Sequence, residues 1–280
     1  MKLIECPRDA MQGIQTFIPT EKKVHYINRL LEVGFDTIDF GSFVSPKAIP
    51  QLRDTSEVLS NLKLTGSKLL AIVANTRGAE QACEYAAIAY LGFPLSISET
   101  FQQRNTNKSI AEALSSLDEI QQICVATNKK LVAYISMGFG NPYGDPYSVD
   151  QVLKMTDVMA TLGVTIVSLA DTIGVSQPDQ IKHLYASVVR QFHTLEFGAH
   201  LHSSPQNALE KIEAAFEAGC QRFDGAIKGF GGCPMAEDEL VGNVATEIVL
   251  SYLDSKQAAP PLNRTAFVDA LKMADEIFSR

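Results

Sequence analysis

Short apolar runs alternate with longer amphipathic ones along the whole chain. The apolar runs predict strands over residues 3–6, 37–40, 68–73, 94–98, 130–136, 165–170, 196–201 and 222–226. The amphipathic stretches predict helices over 21–33, 56–62, 79–89, 109–127, 149–162, 178–191, 205–218, 243–253 and 264–277. Strands alternating with helices of this length imply a parallel sheet. One junction recurs: a helix end, a glycine, then a strand, at Gly34, Gly163 and Gly219. Glycine after a helix takes the left-handed cap conformation and turns the chain into the next strand. Three copies of one junction, with eight strands, point to an α/β fold of the closed (β/α)₈ type, a TIM barrel. No Gly-x-Gly-x-x-Gly follows the first strand, which argues against a dinucleotide-binding sheet. No linker marks a second domain. Residues 1–280 are expected to form one barrel domain, with a helical region from about 243 to 280 packed on it.

Composition narrows the function. The net charge of −8 carries no block of like charge, which argues against a nucleic-acid partner. No apolar run is long enough to span a membrane. Five cysteines, Cys6, Cys83, Cys124, Cys220 and Cys233, are odd in number and lack Cys-x-x-Cys spacing. Free thiols in a reducing compartment fit better than a disulfide framework. With no basic-then-apolar leader at the N-terminus, the expected location is cytoplasmic.

In such a barrel, functional groups gather where the strands end. Polar and ionisable residues do concentrate there. The first strand leads into Arg8-Asp9, then Gln12. Arg8 can grip a carboxylate or polarise a carbonyl, and Asp9 can ligate a divalent ion; a buried Arg–Asp pair is the plainer reading. Asp39 and Ser42 follow the second strand, where they can orient Arg8 or touch ligand; turn chemistry explains Ser42 nearly as well. After the fourth strand, Arg104-Asn105-Thr-Asn107-Lys108-Ser109 reads as a loop able to meet phosphates, or as the cap of the next helix. The sixth strand ends in Ser168-Leu-Ala-Asp171, where Asp171 can orient a ligand or cap a turn. His200 and His202 alternate along the seventh strand, so they share one face and make half of a metal site; as a bare pattern, two polar histidines at a strand end are equally consistent. After the eighth strand, three glycines surround Cys233, as in a loop that lays a thiol over a pocket. Asn243 can cap the next helix or offer its amide oxygen to a metal. His25, His183 and His193 read as surface residues.

Several of these segments together resemble the 3-hydroxy-3-methylglutaryl-CoA (HMG-CoA) lyase family, within the DRE-TIM metallolyases. The matching stretches are Pro7-Arg8-Asp9-Ala-Met-Gln12, Ser42-Phe-Val-Ser-Pro-Lys47, Ser168-Leu-Ala-Asp171-Thr-Ile-Gly174, His200-Leu-His202, Gly229-Phe-Gly-Gly-Cys233-Pro234 and Asn243-Val-Ala-Thr-Glu247. They run in family order across nearly the whole chain. The resemblance implies that Asp9, His200, His202 and Asn243 ligate Mg²⁺ or Mn²⁺. It implies that Arg8 stabilises enolate charge, that Cys233 relays a proton, and that Asp171 joins them in catalysis. Arg8, Gln12, Asp39, Ser42, Ser168, Arg104, Asn105 and Glu247 are the expected substrate contacts. The implied reaction cleaves HMG-CoA to acetyl-CoA and acetoacetate. The implied partners are an acyl-CoA and a second copy of the chain in a homodimer.

Four departures bear on the substrate. The family carries Glu in place of Asp39, a strand-five Arg near Val132, Cys in place of Asn141, and an acid in place of Ser203. Each leaves the metal set and the thiol in place. The rival readings are another aldolase or Claisen-type enzyme of the superfamily, and a catalytically silent acyl-CoA-binding barrel.

Overall fold

The computed structural model describes residues 1–232 and 241–278. Eight strands are β1 (Lys2–Glu5), β2 (Thr37–Ser42), β3 (Lys68–Ile72), β4 (Ile88–Ser96), β5 (Lys130–Ser136), β6 (Ile166–Asp171), β7 (Glu196–Ser203) and β8 (Arg222–Gly225). Each pairs in parallel with its neighbour in sequence, and β8 pairs back onto β1. The sheet therefore closes into a barrel with no free edge. A two-residue strand, β9 (Gly242–Asn243), pairs antiparallel with the end of β7.

The helices are α1 (Pro7–Gln12), α2 (Thr20–Val33), α3 (Thr55–Ser60), α4 (Thr76–Cys83), α5 (Glu99–Thr106) and α6 (Ile110–Ala126). They continue as α7 (Val149–Thr161), α8 (Pro178–Gln191), α9 (Ala208–Glu217), α10 (Thr246–Ser255) and α11 (Arg264–Phe278). Strand side chains alternate between two cores. Leu69, Leu131, Val167 and Phe223 point outward into the layer shared with the helices. Leu70, Ile72, Tyr90, Val132, Tyr134 and Ile166 point inward and fill part of the lumen. The C-terminal α11 lies along α2, where Phe278 meets Tyr26 edge-on at 5.6 Å and Phe267 meets Phe35 at 6.3 Å.

The three repeated junctions form as the pattern predicts: Gly34, Gly163 and Gly219 have φ of 86°, 87° and 95°. Other boundaries differ from the sequence expectation. Residues 86–89, rich in alanine, read as a helix end, yet β4 begins at Ile88. Pairing with β3 and β5 on both sides outweighs the local helical preference. Two short helices form outside the predicted ones, the second where a loop was expected. Pro7, whose fixed φ suits a first helical turn, opens α1. The Ser98 hydroxyl accepts the Phe101 N–H at 3.1 Å and opens α5. Among the described residues no helix is long and apolar enough to cross a membrane.

Candidate active site

Strand β1 delivers the first group. Because α1 starts immediately after it, Arg8 and Asp9 are held at the barrel mouth, both nearly buried. Arg8 donates from Nε at 3.0 Å and Nη2 at 2.5 Å to a single oxygen of Asp39, and from Nη1 to Asp9 at 2.7 Å and Gln12 at 2.9 Å. The other Asp39 oxygen is buried without a partner. Burial pushes the Asp39 carboxyl up to about 6 despite Arg8. Burial would raise Asp9 as well, but Arg8 and the two imidazoles together outweigh it and hold Asp9 at about 2.

Strand β7 delivers the second group. His200 and His202 lie on one face, as alternation requires, with ring centroids 5.4 Å apart. One ligand atom each from Asp9, His200 and His202 lies within 4.8 Å of the others. Burial, then repulsion from His200, lowers the His202 pKa to about 4. Asn243 is not a helix cap: it sits in β9, opposite His202, and α10 begins only at Thr246. Its Nδ2 donates to Asp9 at 2.6 Å and to the Phe230 carbonyl at 3.0 Å, leaving Oδ1 buried and unpartnered. Both ring nitrogens of His202 are also unpartnered. A carboxylate and two imidazoles that converge, with ring nitrogens and the neighbouring Asn243 amide oxygen buried and unsatisfied, fit a divalent cation.

Asp171 sits beside this cluster with its lone pairs engaged. Its Oδ1 accepts the Val175 N–H at 2.9 Å; its Oδ2 accepts the Ser176 hydroxyl at 2.5 Å and the Lys211 ammonium at 2.7 Å. Lys211 also donates to the carbonyls of His202 and Gly174, each at 2.9 Å. In this geometry Asp171 holds Lys211, and Lys211 holds the backbone of a candidate ligand.

The remaining candidates are spread more widely. Ser168 lies deeper in the lumen, its hydroxyl 3.3 Å from Asp224. The Ser42 hydroxyl serves the turn, donating to the Ile72 carbonyl at 3.3 Å and accepting the Val44 N–H at 3.2 Å. Glu247 accepts the Lys228 N–H at 3.0 Å at the root of the glycine loop. Arg104 and Asn105 are on α5, not in a loop, and the Arg104 guanidinium lies 4.7 Å over the Tyr143 ring. The neighbouring Ser109 caps α6 in a capping box with Glu112. Cys233 lies outside the described residues. Its loop does approach the cluster from the side that is described: a Cβ on Gly231 would fall 2.8 Å from both Asn243 Nδ2 and the Asp9 carbonyl. Only glycine fits so close to these atoms. His25, His183 and His193 are exposed, as expected.

Sequence reasoning missed Lys211, Arg222 and Asp224. The signal was present: Arg222 and Asp224 are charged residues alternating on a strand that lies in the barrel wall. Val132 joins the apolar lumen patch, while Arg222 reaches into the same lumen from β8, 6.0 Å from the Tyr90 ring. The lumen thus contains a guanidinium supplied by another strand.

The HMGL-like family model matches residues 3–274. The chain is 33% identical over 271 residues to hydroxymethylglutaryl-CoA lyase YngG of Bacillus subtilis, covering 96% of this chain and 90% of that protein. It superimposes on the HMG-CoA lyase of Brucella melitensis with a TM-score of 0.93 at 30% identity, covering 100% of this chain and 99% of the other. It also superimposes on an HMG-CoA lyase of Acinetobacter baumannii in complex with coenzyme A and 3-methylmalate. That match has a TM-score of 0.92 at 30% identity and covers 100% and 91% of the two chains.

Proposed function

This chain belongs to the HMGL-like family, and on that premise we propose that it cleaves HMG-CoA to acetyl-CoA and acetoacetate. The observation that carries this reading is the convergence of Asp9, His200 and His202 at the barrel mouth, beside a buried Arg8. Asp9, His200, His202 and Asn243 would hold Mg²⁺ or Mn²⁺. A divalent cation there supplies positive charge that lowers the pKa of a hydroxyl beside it.

The chain's own residues do the rest. HMG-CoA carries a tertiary alcohol β to a thioester. A base takes the hydroxyl proton, the oxygen electron pair forms the ketone carbonyl of acetoacetate as the Cα–Cβ bond breaks, and the electrons of that bond remain as the enolate of acetyl-CoA. Arg8 is fixed by Asp39, Asp9 and Gln12, so its guanidinium needs little reorganisation to meet the developing enolate oxygen. Cys233 donates the proton that quenches the enolate carbon, and closure of its glycine loop excludes water. Asp171 acts through Lys211 as a positioning residue. The acyl-CoA reading draws on the coenzyme A complex of the A. baumannii relative.

The test is acetoacetate release from HMG-CoA by the full chain, before and after EDTA, with Mg²⁺ or Mn²⁺ added back. Metal-dependent release is expected. No release under any condition, with turnover of a 2-oxo acid plus acetyl-CoA instead, would replace the lyase with a condensing enzyme.

A further inference from the structure

His200 and His202 are not held alike. His202 has no partner on either nitrogen, and the residue after it is Ser203, which carries no charge. His200 Nδ1 likewise makes no hydrogen bond, but it has a carboxylate beside it. Strand register sets His200 directly against Asp224 of β8, and Asp224 Oδ2 stands 3.4 Å from His200 Nδ1. Asp224 is itself flanked on two sides, by one hydrogen bond and one longer charge contact that leaves Oδ1 without a hydrogen bond. The Ser168 hydroxyl lies 3.3 Å from the same oxygen, and Arg222 Nε lies 3.8 Å from Oδ1. Arg222 fits because residue 198 is glycine: a Cβ there would fall 3.1 Å from Arg222 Cδ and 2.9 Å from the Ser168 hydroxyl. The Tyr134 ring meets His200 edge-on at 5.6 Å and limits rotation of the imidazole.

Cys6, His200 and Asp224 also lie close enough to hold a cation of their own. The fully buried Arg222 argues against that use. Its guanidinium already supplies positive charge to Asp224, and a dication added within a few ångströms would be repelled in a low-dielectric lumen. The carboxylate is better suited to accept the imidazole N–H.

We propose that Asp224, backed by Arg222 and Ser168, is the positioning residue for His200. It holds the hydrogen on Nδ1 and leaves the Nε2 lone pair for the divalent cation. A carboxylate behind a ligating histidine fixes its tautomer and raises its basicity, and its loss costs on the order of 10–100-fold in metal affinity. The inference rests on the metal reading above.

The test is Mn²⁺ affinity by titration calorimetry on the full chain, wild type against Asp224→Asn. Weakening of tenfold or more is expected. Proton–nitrogen NMR of histidine-labelled wild type, free of metal, reads the tautomer directly and does not depend on the variant folding. His200 should carry its proton on Nδ1, and Asp224→Asn should shift the population toward Nε2. A wild-type Nε2–H tautomer would overturn the inference, as would a variant binding Mn²⁺ within twofold of wild type. Wild type that takes up no Mn²⁺ would overturn the metal reading, and this inference with it.

Discussion

Lys211→Met isolates a contact on which the histidine strand depends. The ammonium is almost wholly buried, and its three donors go to Asp171 Oδ2 at 2.7 Å and to the carbonyls of Gly174 and His202 at 2.9 Å. Methionine keeps the unbranched bulk and removes all three bonds. Asp171 would retain the Ser176 hydroxyl and the Val175 N–H but lose its counter-charge. Removing one partner of a buried ion pair costs about 3–5 kcal/mol, because the other charge stays buried without compensation. For a chain of this length that lowers Tm by roughly 5–9 °C, which calorimetry would resolve. A double-mutant cycle with Asp171→Asn separates the pair from general damage. The two side chains share one network, so a coupling of about 1–3 kcal/mol is expected. A Tm within about 2 °C of wild type, or a coupling near zero, would refute the assignment of Asp171 and Lys211 as one unit.

Two further outcomes are expected. Glu5 is buried where it accepts the Ile227 N–H at 2.9 Å and the Thr246 hydroxyl at 2.6 Å, and burial raises its pKa from 4.5 to about 8. The folded chain therefore keeps a proton that the unfolded chain releases, so Glu5's contribution is fully present below pH 4.5 and is lost as pH rises to about 8. Glu5→Gln should flatten that fall, gaining up to ~5 kcal/mol on wild type by pH 9; denaturation midpoints that track wild type from pH 5 to 9 would contradict this. Cys233→Ser should lower turnover about 10²–10⁴-fold with Mn²⁺ affinity unchanged, since a serine hydroxyl is a far weaker proton donor; full turnover would remove the thiol from the reaction.

Much of the barrel was legible in the residue pattern because its information is local. Alternation decides which face a strand residue takes, so His200 and His202 could be put on one face before any coordinates. Glycine after a helix has one inexpensive conformation, so the three αβ junctions could be read directly. The same locality explains the errors. Alanines before Ile88 favour a helix in isolation, and Asn243 ahead of a helix looks like a cap. Lateral pairing with β3 and β5 in one case, and with His202 in the other, decides otherwise.

The sequence by itself determined the kinds of groups at the strand ends, their order, and the faces they occupy. Only the tertiary structure decided which of them touch. Asp171 and Lys211 are 40 residues apart, and Asp9 and Asn243 are 234 apart. Alternation tells a residue which way to point but not which residue stands opposite. That is set by barrel register, a property of how neighbouring strands slide against one another as the sheet closes. Register places Asp224 beside His200, and Gly198 leaves the space through which Arg222 reaches it.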